Sequence, residues 1–252
     1  MSKIWAIGDL HLSLGVPEKH MSAFGEKWEN YIEKIEDNWK EAVSQEDLVL
    51  IPGDISWAMK LDEALIDLNW LASLPGTKLL IKGNHDYWWP SKKKLESILP
   101  PSIYAIQNDA FLFNETAIGG VRLWDSQEYS FTEYIEFVKN PLEKDQELLD
   151  LKEKKRHDET LFTRDLKRLE LSLSQLDKKA ARRIAMIHYP PISADLAPSR
   201  TSEILEKYKI DTCVFGHLHN VKKEALPFGE KNQVRYILTS ADYIDFKPIQ
   251  IY

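Results

Sequence analysis

Ile4-Trp5-Ala6-Ile7-Gly8-Asp9-Leu10-His11 runs four apolar residues into a glycine and then into two side chains able to bind a metal ion. Four residues are too few for a helix, and the abrupt end at glycine reads as a buried strand leaving its sheet. The pattern returns in Leu48-Val49-Leu50-Ile51-Pro52-Gly53-Asp54, and again in Leu79-Leu80-Ile81 with Gly83-Asn84-His85-Asp86 close behind. Between the first two runs, Trp28, Tyr31, Ile32, Ile35, Trp39, Ala42 and Val43 recur at helical spacing; Leu61, Ala64, Leu65, Leu68 and Leu71 do so before the third. Strand, helix, strand, helix, strand predicts parallel pairing and an α/β fold.

Beyond Pro100 the pattern becomes that of a hairpin. Phe111 to Ile118 is followed by Gly119-Gly120 and then by Val121-Arg122-Leu123-Trp124, which predicts a turn at the glycine pair and a second, partly antiparallel sheet. Further strands are expected at Ile184–Ile187, Thr212–Phe215, Val234–Leu238 and Ile249–Ile251. The charged segment from about 125 to 180 carries Phe162, Leu166, Leu169, Leu173 and Leu176 on one narrow face, the mark of a helical insertion packed by that face. Its first part, 125 to 160, is a candidate lid. With no repeat, linker or low-complexity tract, residues 1–252 read as one domain.

Composition narrows the function. Lys and Arg total 33 against 40 Asp and Glu, a net charge of −7 that opposes general attraction to a phosphate backbone, so nucleic acid is a disfavoured partner and a small anionic substrate a compatible one. The one cysteine, Cys213, lies in an apolar run and excludes an intrachain disulfide framework. The first residues lack the apolar length of a signal peptide, and no run approaches membrane-spanning length. A cytoplasmic protein without membrane contact is expected.

Functional groups in parallel α/β sheets gather beyond the carboxyl ends of strands, and Asp9, Asp54 and Asn84 each lie just past one. Asp9 and His11 are two apart, which in extended backbone puts both on one face; His217 and His219 in Gly216-His217-Leu218-His219 repeat the spacing. His188 follows another apolar run, in Ile187-His188-Tyr189-Pro190-Pro191, and glycine precedes Asp9, Asp54, Asn84 and His217. Five of the seven histidines belong to these pieces. One such piece alone would be a turn or a cap; their recurrence at successive strand ends argues for a site with oxygen and imidazole ligands for two metal ions and a histidine to spare.

The order Asp-x-His, Gly-Asp, Gly-Asn-His-Asp, His, Gly-His-x-His, spread over residues 9 to 219, resembles the calcineurin-like metallophosphoesterase superfamily. The resemblance implies a four-layer α/β/β/α sandwich of two mixed sheets with two divalent or mixed-valence ions, Mn, Fe or Zn, at one edge. It places Asp9, His11 and His219 on one ion, Asn84, His188 and His217 on the other, Asp54 between them, His85 as proton donor and Asp86 as the acid supporting His85. The implied reaction is phosphoester hydrolysis by metal-bound hydroxide, with His85 protonating the leaving group.

Asp54 is followed by Ile55-Ser56-Trp57 and lacks the longer acidic and arginine-containing signature of serine/threonine protein phosphatases. Tyr189-Pro190-Pro191 and the short motif cores are more similar to bacterial phosphohydrolases and phosphodiesterases, which points to small or nucleotide-like diesters. A nuclease, a phosphomonoesterase and an interaction module that has lost turnover remain as alternatives, and no protein partner is indicated. Retention of His85 speaks for an enzyme. Trp57 reads as packing beneath the loops, whereas Trp88, Trp89 and the segment after Asp125 are the places where selectivity is expected. Lys92-Lys93-Lys94, Arg122, Lys152, Lys154, Lys155 and Arg156 read as solvated cations, and His20 and His157 as plain surface residues.

Overall fold

The first three apolar runs pair as their pattern predicts. β1 (Ile4–Ala6), β2 (Leu48–Ile51) and β3 (Thr77–Leu80) are parallel neighbours, β4 (Ile103–Ala105) extends one side in parallel, and β11 (Ile249–Gln250) closes the other antiparallel to β1. The computed structural model describes residues 2–136, 151–222 and 228–252. α1 (Tyr31–Ala42) and α2 (Leu61–Ser73) return the chain between these strands and cover the outer face: Tyr31, Ile35, Trp39, Ala64, Leu68 and Leu71 pack on Val49 and Ile51 in one buried cluster. A short helix, α3 (Lys92–Ile98), leads into β4.

The second sheet has the order β5 (Ala110–Phe113), β6 (Thr116–Val121), β7 (Arg182–Ile187), β8 (Thr212–Phe215), β10 (Val234–Leu238), β9 (Glu230–Lys231), with β6, β7, β8 and β10 parallel and an antiparallel strand at each side. α4 (Leu151–Ser174) and α5 (Arg200–Lys207) cover its outer face. Phe162 and Leu169 of α4 are fully buried there, each contributing about 1.5–3 kcal/mol relative to an exposed side chain. Ala6, Leu50, Leu79, Ile118, Ile184, Met186 and Val214 fill the space between the sheets. The architecture is a sandwich of two mixed sheets with flanking helices, as expected. No helix among the described residues is long and apolar enough to cross a membrane.

The hairpin turns elsewhere than expected. β5 and β6 meet through Asn114-Glu115, Asn114 taking φ 52°, while Gly119 and Gly120 lie inside β6 and pair with Ala185 and Met186 of β7. Close packing explains the glycines. A Cβ on Gly119 would come within 2.9 Å of Leu173 Cδ2, and one on Gly120 within 2.3 Å of the Met186 carbonyl oxygen. Ser172 Oγ fastens α4 there, accepting from Gly120 N at 2.8 Å and donating to Asp109 O at 2.5 Å. The expected helical insertion is thus α4, seated by the predicted apolar face. Of the candidate lid, residues 125–136 are described, whereas 137–150 lie outside the described residues.

Candidate metal centre

The carboxyl ends of β1, β2, β3, β7 and β8 meet along one edge of the sandwich. The chain leaving β1 crosses onto the loop after β2, with Asp9 N donating to Gly53 O and His11 N to Asp54 O. Asp9, His11, Asp54 and His217 all have left-handed backbones, φ 46° to 73°. The extended geometry expected for Asp9 and His11, and for His217 and His219, therefore does not hold; the side chains converge because tight turns aim them inward. Such a conformation costs a non-glycine residue on the order of 1–2 kcal/mol, so the surrounding hydrogen bonds must hold it. Two glycines make room for the acids: a Cβ on Gly83 would fall 2.1 Å from Asp54 Oδ1, and one on Gly216 2.2 Å from Asp9 Oδ2.

All seven expected metal-binding side chains come together. Ligand atoms of Asp9, His11 and His219 lie within 4.8 Å of one another, as do those of Asp9, Asp54 and His188. Asn84 Oδ1 is 2.6 Å from His188 Nε2 and 3.0 Å from His217 Nδ1. Asp9 belongs to both sets, and Asp54 Oδ2 of the second, 3.4 Å from His188 Nε2, also lies 3.7 Å from His11 Nε2 of the first.

Charge follows this division. Burial pushes Asp9 up to about 6 against the pull of His219 and His188. Burial would also raise Asp54, but His188 and His11 hold it well below the usual carboxylate range. For His188, burial is outweighed by Asp54 and Asp9, which bring it up to about 9. His219 likewise reaches about 9, burial being overcome by Asp242 and Asp9. His11 and His217 are driven well below the usual imidazole value, chiefly by burial. The buried carboxylates Asp9, Asp54 and Asp242 therefore favour positive charge at His188 and His219. A divalent ion fits that demand, and His11 Nε2 and His219 Nε2, 3.1 Å apart among carboxylate oxygens, have the spacing of neighbouring ligands each about 2.1 Å from one ion. The mixture of carboxylate, amide and imidazole suits borderline transition metals.

His85 belongs to neither group. Its half-buried ring packs against Trp57 at 4.5 Å between centroids and near His11 at 5.5 Å, and its backbone N–H donates to Asp54 Oδ1. Burial lowers its affinity for a proton. Asp86 does not support it as expected. The Asp86 carboxylate turns inward and accepts from Ile55 N, Ser56 N, Trp88 Nε1 and Gly83 N at 2.7–3.2 Å, joining the loops after β2 and β3; burial and the nearby Asp54 push it up to about 7 against those donors. Each of those N–H groups left unpaired in the interior would cost about 1–3 kcal/mol, which explains where the side chain goes.

Sequence reasoning passed over Asp242. Fully buried, it accepts from His219 Nδ1 at 2.8 Å and from Asn220 N at 3.0 Å, with Lys27 Nζ 3.8 Å away. Pro52 O contacts His188 Nδ1 at 2.9 Å. Partners of this kind fix the ring orientation of a metal-binding histidine. The available signal was an acid shortly beyond the apolar run Val234–Leu238, without a glycine or histidine to mark it.

A cleft of about 230 Å³ opens onto both groups, lined by His11, Phe24, Trp28, Trp57, His85 and His219 among others. Trp57 stacks on His11 at 4.9 Å and runs parallel to Phe24, so it fronts the site instead of packing beneath the loops. Trp88 and Trp89 are buried instead, their Nε1 atoms donating to Asp86 and Gln107, and neither lines the cleft over the acid–histidine groups. A second cavity, about 420 Å³, shares His217 and takes its wall from Trp124, Asp125, Tyr129 and Phe131, in the segment where selectivity is expected.

Two mixed sheets that converge Asp, Asn and His on one edge in this way define the metal-dependent phosphoesterase class. The chain belongs to the calcineurin-like phosphoesterase family, whose model matches residues 2–221. Gene 66 protein of Mycobacterium phage D29 is 37% identical over 87 residues, which cover 34% of this chain and 41% of that protein. Among solved structures, a protein of unknown function from Aquifex aeolicus is similar at TM-score 0.48 and 17% identity over 99% of this chain and 96% of its own. GAP50, the anchor in the inner membrane complex of Plasmodium, is similar at 0.47 and 14% over 96% and 72%.

Proposed function

We propose that the protein is a dinuclear-metal phosphodiesterase acting on small or nucleotide-like phosphoesters in the cytosol, in keeping with its charge and its buried cysteine. The observation that carries this reading is a pair of acid–histidine groups that share Asp9, with His85 outside both but on the same cleft. Asp9, His11 and His219 would hold one ion, Asn84, His188 and His217 the other, and Asp54, reaching toward both, would be shared. Ions of the Mn, Fe or Zn kind would supply there a Lewis acid for the phosphoryl oxygens and would lower the pKa of water.

The chain's own residues do the remainder. Asn84 brings its Oδ1 beside His188 Nε2 and His217 Nδ1 as the third ligand atom of that set, and Asp242 holds His219 at the rim. His85, steadied between Trp57 and His11, carries a proton to the leaving oxygen from a ring nitrogen that has no hydrogen-bond partner among the described residues. An anionic substrate in the cleft raises the proton affinity that burial lowers. Phe24 and Trp57 offer a flat apolar wall to the leaving group. The test is metal-reconstituted protein against mono-, di- and cyclic phosphoesters and single-stranded nucleic acid. Diester hydrolysis abolished by chelation and restored by Mn is the expected result, and chelator-resistant turnover would refute it.

A further inference from the structure

On the same edge but apart from the acid–histidine groups, a cavity of about 70 Å³ opens between the loop after β3, the end of β6 and α4. Lys82, Arg122 and Arg168 line it together with Asp165, Gln107 and Trp89. Arg122 is not the solvated cation its sequence context suggests: its side chain is 20% exposed and lies over the Trp124 ring at 4.5 Å. Asp165 is buried. Its Oδ1 accepts from Arg164 Nε at 2.8 Å and Arg168 Nη1 at 3.0 Å, and its Oδ2 lies 3.8 Å from Arg122 Nη2 with no hydrogen bond.

One carboxylate is thus divided among three guanidiniums, and the half-buried Lys82 ammonium has no ion pair among the described residues. A network that only anchored α4 would need no more positive charge than Asp165 neutralises. Arg122 and Lys82 are the two cations partly withdrawn from water, whereas Arg168, its side chain 45% exposed, closes the cavity on the solvent side; positive charges brought together in this way are unfavourable unless negative charge answers them. The chain as a whole carries −7, so the excess is local. Gln107, whose Oε1 accepts from Trp89, has its amide N–H groups to offer. The space admits a tetrahedral oxyanion and no ring system. Its position ties it to the site: Lys82 precedes Asn84 by two residues, and Arg122 O accepts from Tyr189 N, next to His188.

We infer that this cavity is a phosphate-group subsite, in which Lys82, Arg122, Arg168 and Gln107 hold a phosphate separate from the metal centre. The phosphate comes either from a second phosphate group on the substrate or from free inorganic phosphate. Equilibrium dialysis of the metal-loaded protein with inorganic phosphate tests it. Two bound phosphates are expected, one of which survives chelation. Lys82→Gln, which breaks no ion pair, weakens the chelation-resistant site about tenfold, and Lys82→Gln with Arg168→Gln removes it, whereas Arg168→Lys retains it within about threefold. Circular dichroism of each sample checks the fold. Should chelation itself unfold the chain, the count of two against one in the metal-loaded proteins decides. Loss of all phosphate on chelation of a folded protein, or wild-type binding in the double variant, overturns the inference.

Kinetics then separates the sources. A kcat/KM advantage of tenfold or more for esters carrying a second phosphate, lost in Lys82→Gln, identifies the substrate. Equal kcat/KM with a response to added phosphate that Lys82→Gln abolishes, beyond the competitive inhibition at the metal centre that both proteins share, identifies the free anion. Because dialysis needs no turnover, the subsite and the proposed reaction stand or fall separately.

Discussion

Asp242→Asn removes one charge from a position that touches no proposed substrate and yet sets the aim of His219. In the native protein the buried carboxylate accepts from His219 Nδ1 at 2.8 Å and from Asn220 N at 3.0 Å. A hydrogen bond to a charged group contributes about 1.5–3 kcal/mol and a neutral one about 0.5–1.5, so the exchange costs about 1–1.5 kcal/mol, near tenfold in affinity. Loss of ring orientation extends this, since removal of such partners typically costs about 10–100-fold in metal affinity. The Asn220 N–H then faces an amide that cannot satisfy both donors. That adds about 1–3 kcal/mol against folding, or a few degrees in Tm at this chain length.

The assay is competition with a chromophoric chelator for Mn or Zn, read as two separate affinities. Only the ion proposed to sit among Asp9, His11 and His219 should bind about 10–100-fold more weakly, the second proposed ion staying within about threefold. The proton works in the opposite direction. His219 is brought up to about 9 largely by Asp242, so below that pH an ion must displace a proton from the wild type. The variant's His219 binds that proton less tightly, and the gap between the two proteins should narrow as pH falls below 9. Equal weakening of both ions, or no weakening of either, refutes the reasoning.

Asp54→Asn should lower the content of both metals together by elemental analysis, and full retention of one ion would remove Asp54 from its shared place. His85→Ala should keep full metal occupancy and lose about 10²–10⁴-fold in kcat, an unchanged rate disproving its proton-donor role. Gly120→Ala drives a Cβ onto the Met186 carbonyl oxygen and should cost about 2–3 kcal/mol by denaturant unfolding. Gly119→Ala meets the ends of Leu173 and Ser172 instead and should cost less than half as much; the reverse order would mean that the glycines serve another purpose. Cys213, fully buried with its thiol pushed up by burial, should resist alkylation at pH 8 until denaturant is added.

The fold was legible wherever hydrophobic periodicity carried the message: β1 to β3, α1, α2 and the face of α4 stand where the apolar runs place them. Gly119-Gly120 was misleading because a glycine pair signals a turn locally but here accommodates the close approach of α4 and β7, contacts made by residues far along the chain. The convergence of Asp9, His11, Asp54, Asn84, His188, His217 and His219 was legible through their recurrence at strand ends, although their left-handed backbones were not. Asp86, Trp57 and Asp242 were misjudged for a common reason. Where a side chain near a strand end points is decided by which buried N–H or ring nitrogen lacks a partner, and no local pattern records that.

The groups that converge at the edge come from opposite halves of the sandwich: Asp9, Asp54 and Asn84 follow strands of the first sheet, His188 and His217 strands of the second. An ion held among them binds only a chain whose two sheets are docked, and so acts as a removable cross-link. Each tenfold rise in free ion above its dissociation constant then adds about 1.4 kcal/mol to the stability of the docked state. The melting temperature thereby becomes a gauge of metal supply, and a chain starved of metal is one whose halves part more readily.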